Sequence, residues 1–131
     1  MLVIDSSAVL SAFLPDEEGI DLEDSIGPET ELIAPRLLWA EVRNIVVSAE
    51  RRGRLPRTAA DTVVDAIDDL GISLDSSPRS GTVLHLARKH GLSVYDSLYL
   101  ELALRRQAEV LTLDRALQRA ARAEGVTVAP Q

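Results

Sequence analysis

Four of the chain's 21 acids, Asp5, Glu41, Asp96 and Asp114, stand out by where they fall. Asp5 and Asp114 each follow a short apolar run, Leu2-Val3-Ile4 and Val110-Leu111-Thr112-Leu113, and each precedes residues patterned for a helix. Such runs predict strands buried on both faces. Each carboxylate is therefore expected at a strand's carboxyl end, the edge of a parallel sheet where ligands bind. Asp is also a good helix N-cap, which explains either residue alone without any chemistry, and Asp5-Ser6-Ser7 offers several oxygens for that role. Asp96 closes Ser93-Val94-Tyr95-Asp96, which fits a capping box. Glu41 has no such explanation: it lies inside its helix, at the border of the buried face marked by Leu38 and Ile45.

The chemistry comes from the set. If strand ends and the helix N-termini after them share one edge, the four acids converge in one cleft. Unit charges about 4 Å apart cost about 4 kcal/mol per pair at an effective dielectric of about 20. Protonation or a bound cation must relieve that repulsion. Hard oxygen ligands without His or Cys favour Mg²⁺ or Mn²⁺ over zinc. There is no cysteine, so thiol catalysis and disulfides are excluded. His85 and His90 share one helix and show no patterned acidic partner, so they read as surface or packing residues.

The elements that must position these acids follow from periodicity. After the first strand and a helix to Leu14, Asp16 to Ser25 carries Ile20 and Leu22, continued by Ile26, at helical spacing, and Gly27-Pro28 ends it. Glu31-Leu32-Ile33-Ala34 reads as a second strand. Leu38, Val42, Ile45, Val46 and Ala49 mark an amphipathic helix from Arg36 to Arg52. A further helix runs from Pro56 to Leu70, and Ile72-Ser73-Leu74 is a short strand. Ser77-Pro78 opens a helix to His90, with Pro at its favoured first position. The helix from Val94 to about Arg106 is apolar nearly all round, so it should pack on more than one side, with Tyr95 and Tyr99 in the core. Glu109 to Leu113 is a strand, Asp114 opens a helix to Ala123, and Val126-Thr127-Val128 is a last short strand. Strands alternating with helices predict a three-layer α/β/α domain with a central parallel sheet of four to five strands.

At 131 residues the chain suits one domain, 1–131, with an ordinary 46% of hydrophobic and 27% of charged residues. A net charge of −7 disfavours a simple nucleic-acid binder but leaves room for an enzyme that meets nucleic acid through bound cations. No apolar run approaches the length of a membrane span, and Asp5 interrupts any leader-like segment, so a cytoplasmic protein is expected.

At this point the sequence resembles a family. Asp5 in V-I-D-S-S-A-V, Glu41 in W-A-E-V-R-N, Asp96 in S-V-Y-D-S-L-Y-L-E-L-A and Asp114 in L-T-L-D-R-A-L are similar to the four acidic motifs of PIN-domain ribonucleases, in the expected order. The size and the S-x-Y-D-x-x-Y block resemble VapC-type toxins of bacterial toxin–antitoxin pairs. The resemblance implies Mg²⁺- or Mn²⁺-dependent cleavage of RNA and neutralisation by a small VapB-like antitoxin. It makes Asp5 and Asp96 the principal metal ligands, completed by Glu41 and Asp114 and supported by the hydroxyls of Ser7 and Thr112. Arg115, beside Asp114, is a candidate phosphate contact. The helices from Leu14 to Ile26 and from Arg36 to Leu70 carry apolar residues suited to an antitoxin groove or a homodimer face.

Two other readings stay open. A non-catalytic PIN-like module would bind a partner and nothing else. A receiver-like Mg²⁺-binding signalling domain would need paired acids after the first strand and a lysine ending a late one. Here Ser6 follows Asp5, and Lys89 falls inside a helix.

Overall fold

The computed structural model describes residues 1–14, 22 and 26–130. Its order is β1 (Leu2–Ile4), α1 (Ser6–Phe13), β2 (Leu32–Pro35), α2 (Leu37–Arg51), α3 (Arg57–Asp68), β3 (Ser73–Asp75), α4 (Ser80–His90), α5 (Val94–Arg106), β4 (Glu109–Leu111) and α6 (Arg115–Ala123). The helix expected from Asp16 to Ser25 lies outside the described residues, apart from Leu22.

The strands form one parallel sheet in the order β3-β2-β1-β4. Leu2 and Val3 stand opposite Leu32 and Ile33 on one side, while Leu2 to Ile4 stand opposite Glu109 to Leu111 on the other. All three β1 side chains are buried. Successive strand residues point to opposite faces, so burial of all three means that the sheet is covered on both sides. The α/β/α reading holds. Ladder pairing ends with four strands among the described residues, because Val128 of the expected fifth makes only an isolated parallel bridge to Val110.

This order places the acids. From β1 the chain proceeds outward through β2 to β3, then returns to add β4 on the other flank of β1. The reversal opens a crevice at the carboxyl ends of β1 and β4, where such sheets bind ligands. Helix α5 leads directly into β4 and so runs antiparallel to the strands, which brings its N-terminus, with Asp96, back to that edge.

Several expected boundaries moved for physical reasons. Helix α4 starts at Ser80, not at Pro78, and the N–H of Arg79 is taken by the Glu101 carboxylate at 3.1 Å. Strand β4 stops at Leu111, since Thr112 turns its hydroxyl toward Asp5 instead of continuing the ladder. On α2, Leu38, Val42, Val46 and Ala49 are buried as the spacing predicts, whereas Ile45 is exposed.

Candidate active site

Asp5 is the most enclosed of the four acids, 5% exposed. It is the residue that caps α1: its Oδ1 accepts the Ala8 N–H at 3.0 Å and the Ser7 hydroxyl at 2.6 Å. The capping role thus falls on Asp5 itself, and Ser6 and Ser7 are the first helical residues. Oδ2 accepts the hydroxyl of Thr112. Three donors against about four lone-pair positions orient the carboxylate without saturating it. Ser7 and Thr112 are themselves held, since Ser7 Oγ accepts the Leu113 N–H at 3.0 Å and Thr112 Oγ1 accepts the Asp114 N–H at 3.0 Å. These bonds stitch the end of β1 to the end of β4.

Asp114 caps α6 as Asp5 caps α1, its Oδ1 accepting the Leu117 N–H at 3.1 Å. Asp96 lies in the first turn of α5, where the Ser93 hydroxyl accepts its backbone N–H at 3.0 Å. Glu41 reaches in from α2, and its Oε1 accepts the Tyr99 phenol at 2.5 Å. N-termini of helices α1, α5 and α6 therefore surround the cleft, and their aligned dipoles favour negative charge there.

The acids sense one another. Burial pushes the Asp5 carboxyl above its usual value, with the charge of Asp96 adding to the rise and the bonds from Ser7, Thr112 and Ala8 opposing it. Burial also raises Glu41, opposed by the Tyr99 bond and reinforced by Asp5 and Asp96. Asp96 is raised first by burial and then by Asp114, against its bond with Ser93. All four acids are thus linked through space, with Asp96 at the centre. They are not a closed ligand shell: among the described residues, no three His, Cys, Asp or Glu side chains are gathered tightly enough to hold a metal ion. The donor chemistry nevertheless suits a hard divalent cation: the side chains that line the cleft offer carboxylate and hydroxyl oxygens, and a cation would relieve the repulsion between the acids.

Other sequence-based expectations divide. Arg115 is exposed at the start of α6, next to Asp114. Tyr99 is buried, but Tyr95 is not in the core: it shares a side of α5 with Tyr99, yet it lies in the first turn of the helix and is 61% exposed. His85 is exposed, as expected. His90 has an acidic partner after all, Glu124 at 2.7 Å at the C-terminal end of α6, where Lys89 also bonds.

Sequence reasoning missed two contacts. One is the Tyr99–Glu41 bond, which places a presumed packing residue against a candidate ligand. The other is a network built on Glu101, which is 1% exposed. Arg105 forks onto Asp75 at 3.0 and 2.6 Å and onto Glu101 at 2.7 Å. Its local half, Glu101 and Arg105 at i,i+4, was readable as a helical ion pair. Nothing local pointed to Asp75, 30 residues away.

The sequence matches the PIN-domain family model over residues 2–123. It is 31% identical over 119 residues to ribonuclease VapC3 of Pyrobaculum aerophilum, covering 88% of this chain and 91% of that protein. In fold it resembles the crystal structure of PAE2754 from Pyrobaculum aerophilum, with a TM-score of 0.74 at 23% identity over 91% of this chain and 84% of that one. It also resembles FitAcB from Neisseria gonorrhoeae, with a TM-score of 0.68 at 18% identity over 98% of this chain and 96% of that one.

Proposed function

The chain belongs to the PIN-domain family, and from that premise we propose that it is a VapC-type ribonuclease, dependent on Mg²⁺ or Mn²⁺, and the toxin of a toxin–antitoxin pair. The observation that carries this reading is the gathering of Asp5, Glu41, Asp96 and Asp114 at one edge of the sheet, beside the N-termini of α1, α5 and α6. Burial and mutual repulsion raise Asp5, Glu41 and Asp96 together, a state that calls for positive charge. A divalent cation supplies that charge and Lewis acidity toward a scissile phosphate.

Asp5 and Asp96 would hold the cation, with Glu41 and Asp114 completing the acidic pocket. Ser7 and Thr112 fix the Asp5 carboxylate so that its oxygens need no reorganisation at the moment of reaction. A carboxylate raised toward neutral pH also accepts a proton from the attacking water more readily than an ordinary one. The helix N-termini and the exposed Arg115 guanidinium attract the phosphate backbone to an otherwise acidic chain. Such a cleft also attracts a basic side chain, which is how a small VapB-like antitoxin would block it. Trp39, Ile45 and Val47 leave apolar area exposed on α2, suited to that antitoxin or to a homodimer face.

The test is cleavage of RNA by the purified chain, abolished by a chelator and restored by Mg²⁺ or Mn²⁺. Asp5→Asn and Asp96→Asn should each remove it, and full activity in either variant sinks the assignment. The toxin role is tested separately: induced expression should arrest growth, and the Asp96→Asn chain should not.

A further inference from the structure

Tyr99 is one of the largest fully buried side chains in the molecule, and its ring belongs to the core. Packing alone asks only for the ring, and phenylalanine would fill the same space. The hydroxyl is used elsewhere: it donates to Glu41 Oε1 at 2.5 Å, across 58 residues of chain. Helix α2 packs on α1, α3 and β2, whereas α5 packs on α4, α6 and the sheet. The two helices share β2 as a neighbour and differ in the others, and the phenol adds a direct bond between them. Asp96 stands three residues before Tyr99, on the same side of α5. Fixing Tyr99 against Glu41 therefore fixes the spacing between the carboxylates of the two helices.

We infer that Tyr99 is a positioning residue for the acidic cleft: its phenol holds one oxygen of Glu41, which sets the remaining oxygen and the α2–α5 spacing for cation binding. This rests on the reading of the acids as a cation site. Partners of this kind, bonded to a ligand rather than to the metal, change affinity or activity by about 10- to 100-fold when removed.

The experiment is Tyr99→Phe, which deletes only the hydroxyl. Calorimetric titration with Mn²⁺ should show affinity reduced about 10-fold, and kcat for RNA cleavage should fall with KM little changed. In a Glu41→Ala background the same substitution should add nothing, because its effect runs through Glu41. Wild-type Mn²⁺ affinity in Tyr99→Phe, or an undiminished further loss in the Glu41→Ala background, overturns the inference. If Tyr99→Phe does not fold, a Trp39→Phe, Tyr95→Phe chain leaves Tyr99 as the only tyrosine and removes the one tryptophan. Mg²⁺ should then perturb its near-ultraviolet absorbance, and a spectrum unmoved by saturating Mg²⁺ is the contrary result. Asp96→Asn serves as the control. If that variant also binds Mn²⁺ and cleaves normally, the site reading fails; if it is inactive while Tyr99→Phe is normal, only the role of Tyr99 fails.

Discussion

Helix α5 contributes acids to two clusters that have opposite electrostatic outcomes. At its N-terminus Asp96 joins Asp5, Glu41 and Asp114, and the carboxyls of Asp96, Asp5 and Glu41 are all raised. Further along, Glu101 and Asp75 share the guanidinium of Arg105, and Asp75 is lowered, chiefly by its bond with Arg105. Both clusters are largely sheltered from water. They differ in whether, among the described residues, the chain supplies a cation of its own. Where it does, the network closes and the fold is stabilised. Where it does not, the fold carries the repulsion, as active sites commonly do at some cost in stability.

The sharpest way to break this contrast is to remove charge from the open cluster. Asp96→Asn should lower RNA cleavage by about 100-fold or more, the scale for losing one electrostatic group in a site. In chelator-containing buffer it should also raise Tm by about 2–4 °C, the equivalent of about 1 kcal/mol in a chain of this size. A variant both less active and less stable would show that Asp96 serves the fold instead. The closed cluster should respond in the opposite sense. Arg105→Ala leaves two sheltered carboxylates without their cation and should cost about 3 kcal/mol in urea denaturation. Cleavage by the molecules that remain folded should change little.

The pH dependence separates the two further. Asp5, Glu41 and Asp96 titrate above their unfolded values of 3.8, 4.5 and 3.8, so the native state binds more protons than the unfolded one in the window above those values. Metal-free stability from this cluster therefore grows as pH falls from neutral through the raised values. The advantage of Asp96→Asn over wild type should be greatest at neutral pH and shrink toward pH 3.8. Asp75 titrates below 3.8, so its contribution is full above that value and lost as pH falls through the lower native one. The deficit of Arg105→Ala should hold at neutral pH and shrink only in acid. Equilibrium unfolding of the three chains across pH 3–7 reads both trends. The smallest effect belongs to Arg115: Arg115→Ala should raise KM for RNA a few-fold and move stability by no more than about 0.5 kcal/mol.

How much of this was legible depended on the distance over which a signal acts. Asp5 and Asp114 were visible because an acid after an apolar run marks a strand end, and strand ends gather at one edge. Glu41 was visible because it stands inside its helix, at the border of the apolar face, where no capping role explains it. The closing of the other cluster was not, since Asp75 meets Arg105 only through tertiary packing. Tyr95 and Tyr99 show the limit most plainly. They are one helical turn apart and share a side of α5, so periodicity treats them alike, yet Tyr95 lies in the first turn of the helix and only Tyr99 is buried.

The bond from Thr112 to Asp5 spans 107 residues and has a consequence in time. During synthesis β1 emerges before β4, its neighbour on one flank, which comes after almost everything else described. Pairings of such high sequence separation form late. Until Thr112 and Asp114 arrive, Asp5 has only the Ser7 hydroxyl of the two that orient it, and lacks the neighbouring strand that walls its cleft. A nascent chain of this kind carries Asp5 without its partners from β4 and α6, so the acidic cleft is complete only once β4 has docked.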